Sequence, residues 1–165
     1  MGKSVVRVIA TGGTIDEDYS DPETGKSLFT QTRVPKMLIE AGITNVIVVE
    51  TLFTKDSSDI TDEERKQILE RCISCPENRI VITHGTDTML ETAKILGKDI
   101  LDKTIVLVGA FVPFVRGGSD AVPNLKFAVE EARQLPSGVY IAMNGKVFTW
   151  NNVRKNREEA IFESL

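Results

Sequence analysis

Residues that could carry chemistry follow four strand-like apolar runs in this sequence. The runs are Val5–Ala10, Asn45–Thr51, Arg79–Thr83 and Thr104–Ala110. They lead into "TGGTI", "FTKDSSD", "THGTDT" and "GAFVPFVRGGSD", which are rich in hydroxyl, carboxylate and glycine residues. An open α/β sheet binds its ligands at the carboxyl ends of its strands. The pattern therefore predicts a site for a small polar ligand at this edge of a sheet.

The glycine pair in "TGGTI" favours a close approach of backbone to ligand. Gly12 and Gly13 have no side chains, so nearby amides could form an anion cradle or an oxyanion hole. The spacing of a dinucleotide fingerprint is missing, and no Gly-Lys-Ser/Thr of a phosphate-binding loop follows. Taken alone, the pair also fits an ordinary turn.

Thr86 and Asp87 stand where the third strand turns into a helix. Thr86 as N-cap and Asp87 in the first turn would stabilise that helix, which is a purely structural role for each. The chain's one histidine, His84, is expected to be buried and to satisfy backbone groups. A serine hydrolase would also need a G-x-S-x-G nucleophile elbow, which the sequence lacks.

Lys103 precedes the fourth strand and has two interpretations. It is either a solvated residue beside Asp102 or a buried amine that reaches Thr86. A buried lysine loses part of its preference for the charged form and can act as a base.

Apolar runs alternating with amphipathic segments predict a doubly wound α/β fold with a mostly parallel sheet and helices on both faces. Helices are expected at 34–42, at 61–74 with a Thr61–Glu64 capping box, at 87–97 with Gly97 as its cap, and at 123–135. "GVYIAM" and "KVFTW" are predicted to form a hairpin through Asn144 and Gly145. The polar segment from Asn151 onward has a few apolar anchors and is expected to be a docking arm.

The 165 residues suffice for one domain, and 41% are hydrophobic, so a sizeable core can form. A net charge of −4 argues against a nucleic-acid partner. No run resembles a signal peptide or a membrane span, so we expect a cytoplasmic protein without a membrane partner. Cys72 and Cys75 are either a redox pair or, as we favour, structural residues near a helix end.

Taken in order, "ATGGTI", "DSSD", "ITHGTDTMLETA", "DKTIVLVGA" and "SDAVPNLKFAV" resemble the amino-terminal domain of the bacterial-type L-asparaginases from Val5 to about Ser164. "TGGTI" and "HGTDT" match that family's two signature segments. The resemblance implies an amidohydrolase that converts L-asparagine to L-aspartate and ammonia, with glutamine as minor substrate. It implies no metal and no organic cofactor.

The resemblance also implies roles for individual residues. Thr14 matches the threonine nucleophile, and Tyr19 is the candidate to relay its proton. Thr86, Asp87 and Lys103 match the second catalytic group, with Lys103 tuning Thr86. The substrate-binding positions are Gly13, Ser57 and Asp87, and Asp87 would accept the substrate's α-amino group.

Family members usually carry a second, smaller domain that completes the pocket. The sequence predicts a single asparaginase-like domain over residues 1–165, which suggests a short-chain form. A homo-oligomer, dimer or tetramer, could supply the missing wall. The alternative is a non-catalytic module that senses asparagine or aspartate; a nucleotide-binding domain fits the fold class only.

Overall fold

The computed structural model describes residues 4–43, 47–100 and 102–165. The strands are β1 (Val6–Gly12), β2 (Tyr19–Ser20), β3 (Ser27–Leu28), β4 (Ile47–Lys55), β5 (Arg79–Thr83), β6 (Thr104–Val108), β7 (Gly138–Met143), β8 (Lys146–Thr149), β9 (Arg154–Asn156) and β10 (Ile161–Glu163). The helices are α1 (Val34–Glu40), α2 (Asp62–Ser74), α3 (Met89–Asp99) and α4 (Ala121–Gln134). No helix in these three ranges is long and apolar enough to cross a membrane.

Six strands form the central sheet in the order β4-β1-β5-β6-β7-β8. The first five are parallel, and β8 is antiparallel to β7. Helix α1 packs beside α4 and α2 beside α3, which covers both faces. The predicted doubly wound α/β class is therefore confirmed. Its strand order reverses between β1 and β5, and ligands of such sheets bind in the crevice at this reversal.

The strands are apolar because both faces of the sheet are covered. Every residue of β1 and β6 is buried, as are four of the five residues of β5. The outer strand β4 is half-buried along most of its length and exposed at Val48 and Thr51. Its predicted start at Asn45 lies outside the described residues, and the strand continues four residues past the expected end at Thr51.

Two local predictions from side-chain chemistry are confirmed. Thr61 and Glu64 form the capping box of α2, with each side chain accepting a hydrogen bond from the other residue's amide. The turn between β7 and β8 is made by Asn144 and Gly145, whose φ angles of 49° and 78° suit a tight hairpin.

The expected bounds of α3 are wrong at both ends. The helix begins at Met89 with Thr88 as N-cap, so Thr86 and Asp87 stand before it and not in its first turn. Gly97 does not end the helix, which continues to Asp99. This glycine is needed for packing, because a Cβ there would collide with the indole ring of Trp150.

The polar segment after β8 forms a second small sheet. Strands β9 and β10 pair antiparallel, with Phe162 opposite Lys155. Val153 and Phe162 are buried in the main hydrophobic core. The predicted arm therefore folds back onto its own domain.

Candidate active site

The two glycine-containing segments touch each other through their backbones. An added Cβ on Gly13 would lie 2.5 Å from the Cα of Gly85. One on Gly85 would lie 2.6 Å from both Cβ and Oγ of Ser57. Gly13 also has a φ of 82°, which favours glycine. The close packing brings the ends of β1 and β5 and the turn at Ser57 together at the strand reversal.

Gly13 is part of this scaffold in a second way. Its amide donates a hydrogen bond of 2.8 Å to the carbonyl oxygen of Lys55, at the end of β4. That amide is therefore engaged and is a poor candidate for the oxyanion hole expected around Gly12–Thr14. Neighbouring amides of the same segments remain the candidates.

Thr14 opens a short 3-10 turn, Thr14–Asp16, directly after the glycine pair. The turn is anchored by the buried Asp16 carboxylate, which accepts hydrogen bonds from Thr32 Oγ1 at 2.7 Å and from the Arg33 amide at 2.8 Å. Burial raises the pKa of Asp16 despite these two donors. The turn holds Thr14 half-buried, two residues past the end of β1.

Tyr19 lies on the small β2–β3 hairpin that follows. The residue is 57% exposed. The base of the hairpin is held by Asp18, which accepts from the Thr30 hydroxyl and from Arg33, both at 2.6 Å. The structure thus places Tyr19 on an exposed loop near Thr14 in sequence, without burying it in the crevice.

Ser57 is buried and hydrogen-bonded to Thr88, the N-cap residue of α3. Its Oγ accepts a hydrogen bond from the Thr88 amide at 3.2 Å, and its carbonyl accepts one from Thr88 Oγ1 at 2.8 Å. Ser57 is the acceptor in both of these hydrogen bonds, so its hydroxyl proton takes no part in them. The hydroxyl can therefore donate a hydrogen bond to an acceptor on a ligand.

Lys155, on β9, completes the centre of the site. Its Nζ donates to Thr86 Oγ1 and to Asp87 Oδ1, both at 2.9 Å. The side chain is 11% exposed. The ammonium lies 5.7 Å from the centre of the Phe111 ring, which packs against Phe162 of β10 with ring centres 6.2 Å apart. The β9–β10 hairpin therefore places a shielded lysine against the second threonine segment.

Lys155 is a candidate functional residue that sequence reasoning missed. It stands in a polar segment, "NNVRKNREEA", that has no strand-like or helical pattern. The usable signal was the pair of apolar anchors, Val153 and Phe162, which are buried and fix the hairpin to the domain.

Asp87 receives a second cation from the same hairpin. Arg157 Nη1 lies 3.3 Å from Asp87 Oδ1, and Nη2 lies 3.3 Å from the Asp87 carbonyl oxygen. The hydrogen bond from Lys155, together with the charges of Lys155 and Arg157, holds the pKa of the Asp87 carboxyl below its ordinary value. Asp87 is thus a carboxylate at neutral pH.

The expectation that Lys103 reaches Thr86 is wrong. Lys103 Nζ donates to the carbonyl oxygens of Cys72 at 2.7 Å and Cys75 at 2.6 Å, at the carboxyl end of α2. It is 7% exposed, so it is not the solvated residue of the other interpretation either. It precedes β6, whose first residue pairs with the first residue of β5, whereas Thr86 follows the far end of β5. About five residues at roughly 3.3 Å each separate the two edges.

The two cysteines are free and buried near this lysine. Burial raises the pKa of the Cys72 thiol to about 12, so it stays protonated and unreactive at neutral pH. The contacts agree with the structural interpretation of Cys72 and Cys75.

His84 is fully buried beneath the site and bonds only within the domain. Its Nδ1 lies 2.7 Å from the Gly85 carbonyl oxygen and its Nε2 lies 2.8 Å from Thr92 Oγ1. Because a carbonyl only accepts, Nδ1 carries the proton and Nε2 accepts from Thr92. Burial lowers the pKa of His84 to about 4, so the ring is neutral at pH 7. The ring positions the turn that leads to Thr86.

Comparison with known proteins agrees with the fold. Residues 5–164 match the family model "Asparaginase, N-terminal", and the chain belongs to that family. The identification covers the amino-terminal domain of the family. It confirms the resemblance that the signature segments carry.

Three relatives show how far the similarity extends. The chain is 34% identical to the glutaminase-asparaginase of Acinetobacter glutaminasificans, over 93% of this chain and 50% of the relative. It is 34% identical to one subunit of the glutamyl-tRNA(Gln) amidotransferase of Thermococcus kodakarensis, over 88% of this chain and 34% of that protein. A solved structure of a probable cytoplasmic L-asparaginase from Campylobacter jejuni superposes with a TM-score of 0.79 at 31% identity, over 98% of this chain and 52% of the other. The chain therefore spans about half the length, or less, of these relatives.

Proposed function

We propose that this domain hydrolyses the side-chain amide of L-asparagine to L-aspartate and ammonia, with L-glutamine as minor substrate. The observation that carries the proposal is the cluster of Thr86, Asp87 and Lys155 beside the Gly13–Gly85 contact. A hydroxyl held by a shielded amine is a typical arrangement for nucleophile or water activation. Membership of the asparaginase family and the similarity to a glutaminase-asparaginase and to a probable L-asparaginase support the same substrate class.

In the proposed reaction, Thr14 Oγ1 attacks the amide carbonyl and Tyr19 relays the hydroxyl proton. The C=O electron pair moves to the oxygen, and nearby amides stabilise the oxyanion. The C–N bond then breaks, the nitrogen takes the proton that Tyr19 received from Thr14, and ammonia leaves. This step needs the Tyr19 ring to move from its exposed position onto Thr14 when substrate binds.

Water completes the cycle. Lys155 must first give its proton to solvent. Thr86, hydrogen-bonded to Lys155, then accepts a proton from water as the water oxygen attacks the ester of Thr14, and passes its own proton to the Lys155 amine. The C–Oγ1 bond breaks, the Lys155 proton returns through Thr86 to Thr14 Oγ1, and the product gives its carboxyl proton to solvent and leaves as a carboxylate. Lys155 takes the role that the family resemblance implied for Lys103.

A second assignment makes Thr86 the nucleophile itself. The 2.9 Å contact between Lys155 Nζ and Thr86 Oγ1 favours it, because a neutral amine at that distance can take the hydroxyl proton directly. Acid quenching during turnover, followed by peptide mass spectrometry, separates the assignments. A mass increase on the peptide with Thr14 supports the first scheme, and one on the peptide with Thr86 supports the second.

The substrate's charged groups have candidate partners at the same edge. We propose that the Asp87 carboxylate, which is 53% exposed, accepts the α-ammonium group. The Ser57 hydroxyl donates a hydrogen bond to the α-carboxylate, and the backbone around Gly13 forms the bottom of the substrate site. The first two assignments pair the substrate's ammonium group with an anion and its carboxylate with a hydrogen-bond donor.

We further propose that the protein works as a homo-oligomer, dimer or tetramer, and that it is cytoplasmic. The exposed Tyr19 and Asp87 lie at the surface of this domain, so a second surface is needed to exclude water from the site. The similarity to a probable cytoplasmic L-asparaginase of Campylobacter jejuni supports the location. Light scattering of the purified chain tests the assembly, and fractionation of the source cells tests the location.

Ammonia release from L-asparagine tests the central proposal. Wild-type protein is compared with Thr14→Ala, Thr86→Ala and Lys155→Met, and L-glutamine is run in parallel. Turnover by wild type that falls by a hundredfold or so in these variants supports the reaction, since a general base typically contributes about 10²–10⁴-fold. Saturable L-aspartate binding by calorimetry without any turnover would establish the sensing alternative instead.

A further inference from the structure

Two cations converge on one oxygen of Asp87. Lys155 Nζ lies 2.9 Å and Arg157 Nη1 lies 3.3 Å from Asp87 Oδ1. The two side chains differ in shielding, since that of Lys155 is 11% exposed and that of Arg157 is 66% exposed. The carboxylate thus has a shielded partner next to Thr86 and an outer partner toward solvent.

The two cations also differ in chemistry. An arginine keeps its charge throughout the working pH range of proteins, whereas a lysine amine can lose its proton. Lys155 can accept the Thr86 proton only after it has lost its own. If Lys155 were the only partner, that loss would leave the Asp87 carboxylate without a cation.

We propose that Arg157 is a positioning residue for the reaction, which keeps Asp87 paired and in place while Lys155 loses and regains its proton. The inference rests on the proposed function, because it assumes that Lys155 serves as a base. Arg157 acts through Asp87 and does not touch the reacting atoms.

The residues around Lys155 leave Asp87 as the charged partner of its ammonium group. Its other partners from neighbouring elements, Thr86 and the Phe111 ring, are uncharged, as is Phe162, which stands opposite it on β10. The next charged residues on the hairpin, Arg154 and Glu163, bond to each other at 2.9 Å. Since consecutive strand residues point to opposite faces, Arg154 faces away from Lys155. Glu158 and Glu159 are exposed in the turn of the hairpin. Among the contacts of the described residues, the charged group that contacts the Lys155 ammonium is therefore Asp87, which Arg157 contacts in turn.

Arg154 provides the matched control. Arg154→Gln and Arg157→Gln remove the same charge from the same hairpin, at side chains of similar exposure, 64% and 66%. Only the second touches Asp87. Arg157→Lys keeps a cation near the carboxylate and should restore part of the wild-type behaviour.

The test measures kcat and kcat/KM for L-asparagine against pH in wild type and the three variants. Without Arg157, the Asp87 carboxylate loses its outer partner and is held less firmly beside Thr86. In Arg157→Gln we expect a roughly threefold loss of kcat/KM, as suits a partly screened ion pair. Arg154→Gln should follow the wild-type profile.

A second measurement does not depend on turnover. Amide hydrogen exchange over residues 85–88 reports how firmly the segment that carries Asp87 is held, since Arg157 also bonds to the Asp87 carbonyl oxygen. The expected result is faster exchange in Arg157→Gln than in Arg154→Gln. Equal exchange, with equal kcat/KM in the two variants, overturns the inference. If wild type releases no ammonia, the proposed function fails, and the exchange still decides whether Arg157 holds Asp87 in place.

Discussion

Lys155 Nζ lies 2.9 Å from Thr86 Oγ1, although 69 residues separate them along the chain. The intervening chain forms α3, β6, α4, β7 and β8 before the β9–β10 hairpin returns to the end of β5. Tertiary structure thus places Lys155 beside Thr86, and the "HGTDT" segment that contains Thr86 gives no sign of this lysine.

Replacing this amine should abolish chemistry and spare the fold. Lys155→Met is expected to lower kcat/KM for asparagine by at least about a hundredfold. Its ion pair with the exposed Asp87 contributes only about 0–1 kcal/mol to stability, so urea unfolding should be nearly unchanged. A variant with near-normal ammonia release would remove Lys155 from the mechanism.

The opposite result is expected for the other buried lysine. Lys103→Met leaves carbonyl oxygens at the end of α2 without their donor. Because buried acceptors without a partner are costly, we expect a loss of about 2 kcal/mol in the free energy of unfolding. Well below the melting temperature, kcat should stay close to wild type. A large fall in kcat without a change in stability would return Lys103 to the reaction.

His84 should make the domain less stable in acid. Its pKa is lowered to about 4 in the fold, against an ordinary value of 6.5, because burial disfavours the charged ring. The unfolded chain therefore binds the proton first as pH falls. The stability that the neutral ring contributes is complete above about pH 6.5 and is lost between there and about pH 4, by roughly 3 kcal/mol in total.

Proton NMR measures this directly, because the chain has one histidine. The imidazole signal should titrate near pH 4, and a midpoint near 6.5 would contradict the burial argument. His84→Asn, which lacks the titration but can still donate to the Gly85 carbonyl, should show a flatter dependence of unfolding free energy on pH over this range.

The glycine contacts at the centre of the site predict strong sensitivity to one methyl group. Gly85→Ala would place a Cβ 2.6 Å from the side chain of Ser57, so one of the two must move. We expect a loss of about 1–3 kcal/mol in stability, as for overpacked cores, and a raised KM. Gly117→Ala is the control, since a Cβ there meets nothing within 4 Å. Equal behaviour of the two variants would show that the Gly85 contact relaxes without cost.

Phe111 should hold the hairpin and its lysine in place. Its ring contacts both the Lys155 ammonium and Phe162. In Phe111→Ala we expect faster amide hydrogen exchange over residues 154–163 and a lower kcat, because the hairpin loses its apolar support. Unchanged exchange in that segment would assign the anchoring to other contacts.

Most of this fold is predictable from sequence because strands buried on both faces appear as continuous apolar runs. The apolar runs of β1, β5 and β6 correctly predicted that helices cover both faces of the sheet. Local chemistry sufficed for the Thr61–Glu64 box and the Asn144–Gly145 turn. It did not suffice for Gly97, whose small size serves a contact with Trp150, distant in sequence, and not the end of a helix.

The site was predictable as far as it follows from strand ends. Gly13, Ser57 and Gly85 meet because the strands that precede them are neighbours. The two lysines show where this reasoning fails. Lys103 is near a core strand in sequence but at the wrong end of it, whereas Lys155 lies in a segment with no periodic pattern. The β9–β10 hairpin determines which lysine lies beside Thr86. Its signal in the sequence is two apolar residues, Val153 and Phe162, which are buried in the core.

The late position of that hairpin sets an order of events during synthesis. Both threonine segments and all six strands of the central sheet precede Val153 in the chain. Since synthesis runs from the amino terminus, every residue of this scaffold is present before Lys155 is made. Under the proposed mechanism, the nascent domain should therefore have no activity until this hairpin closes.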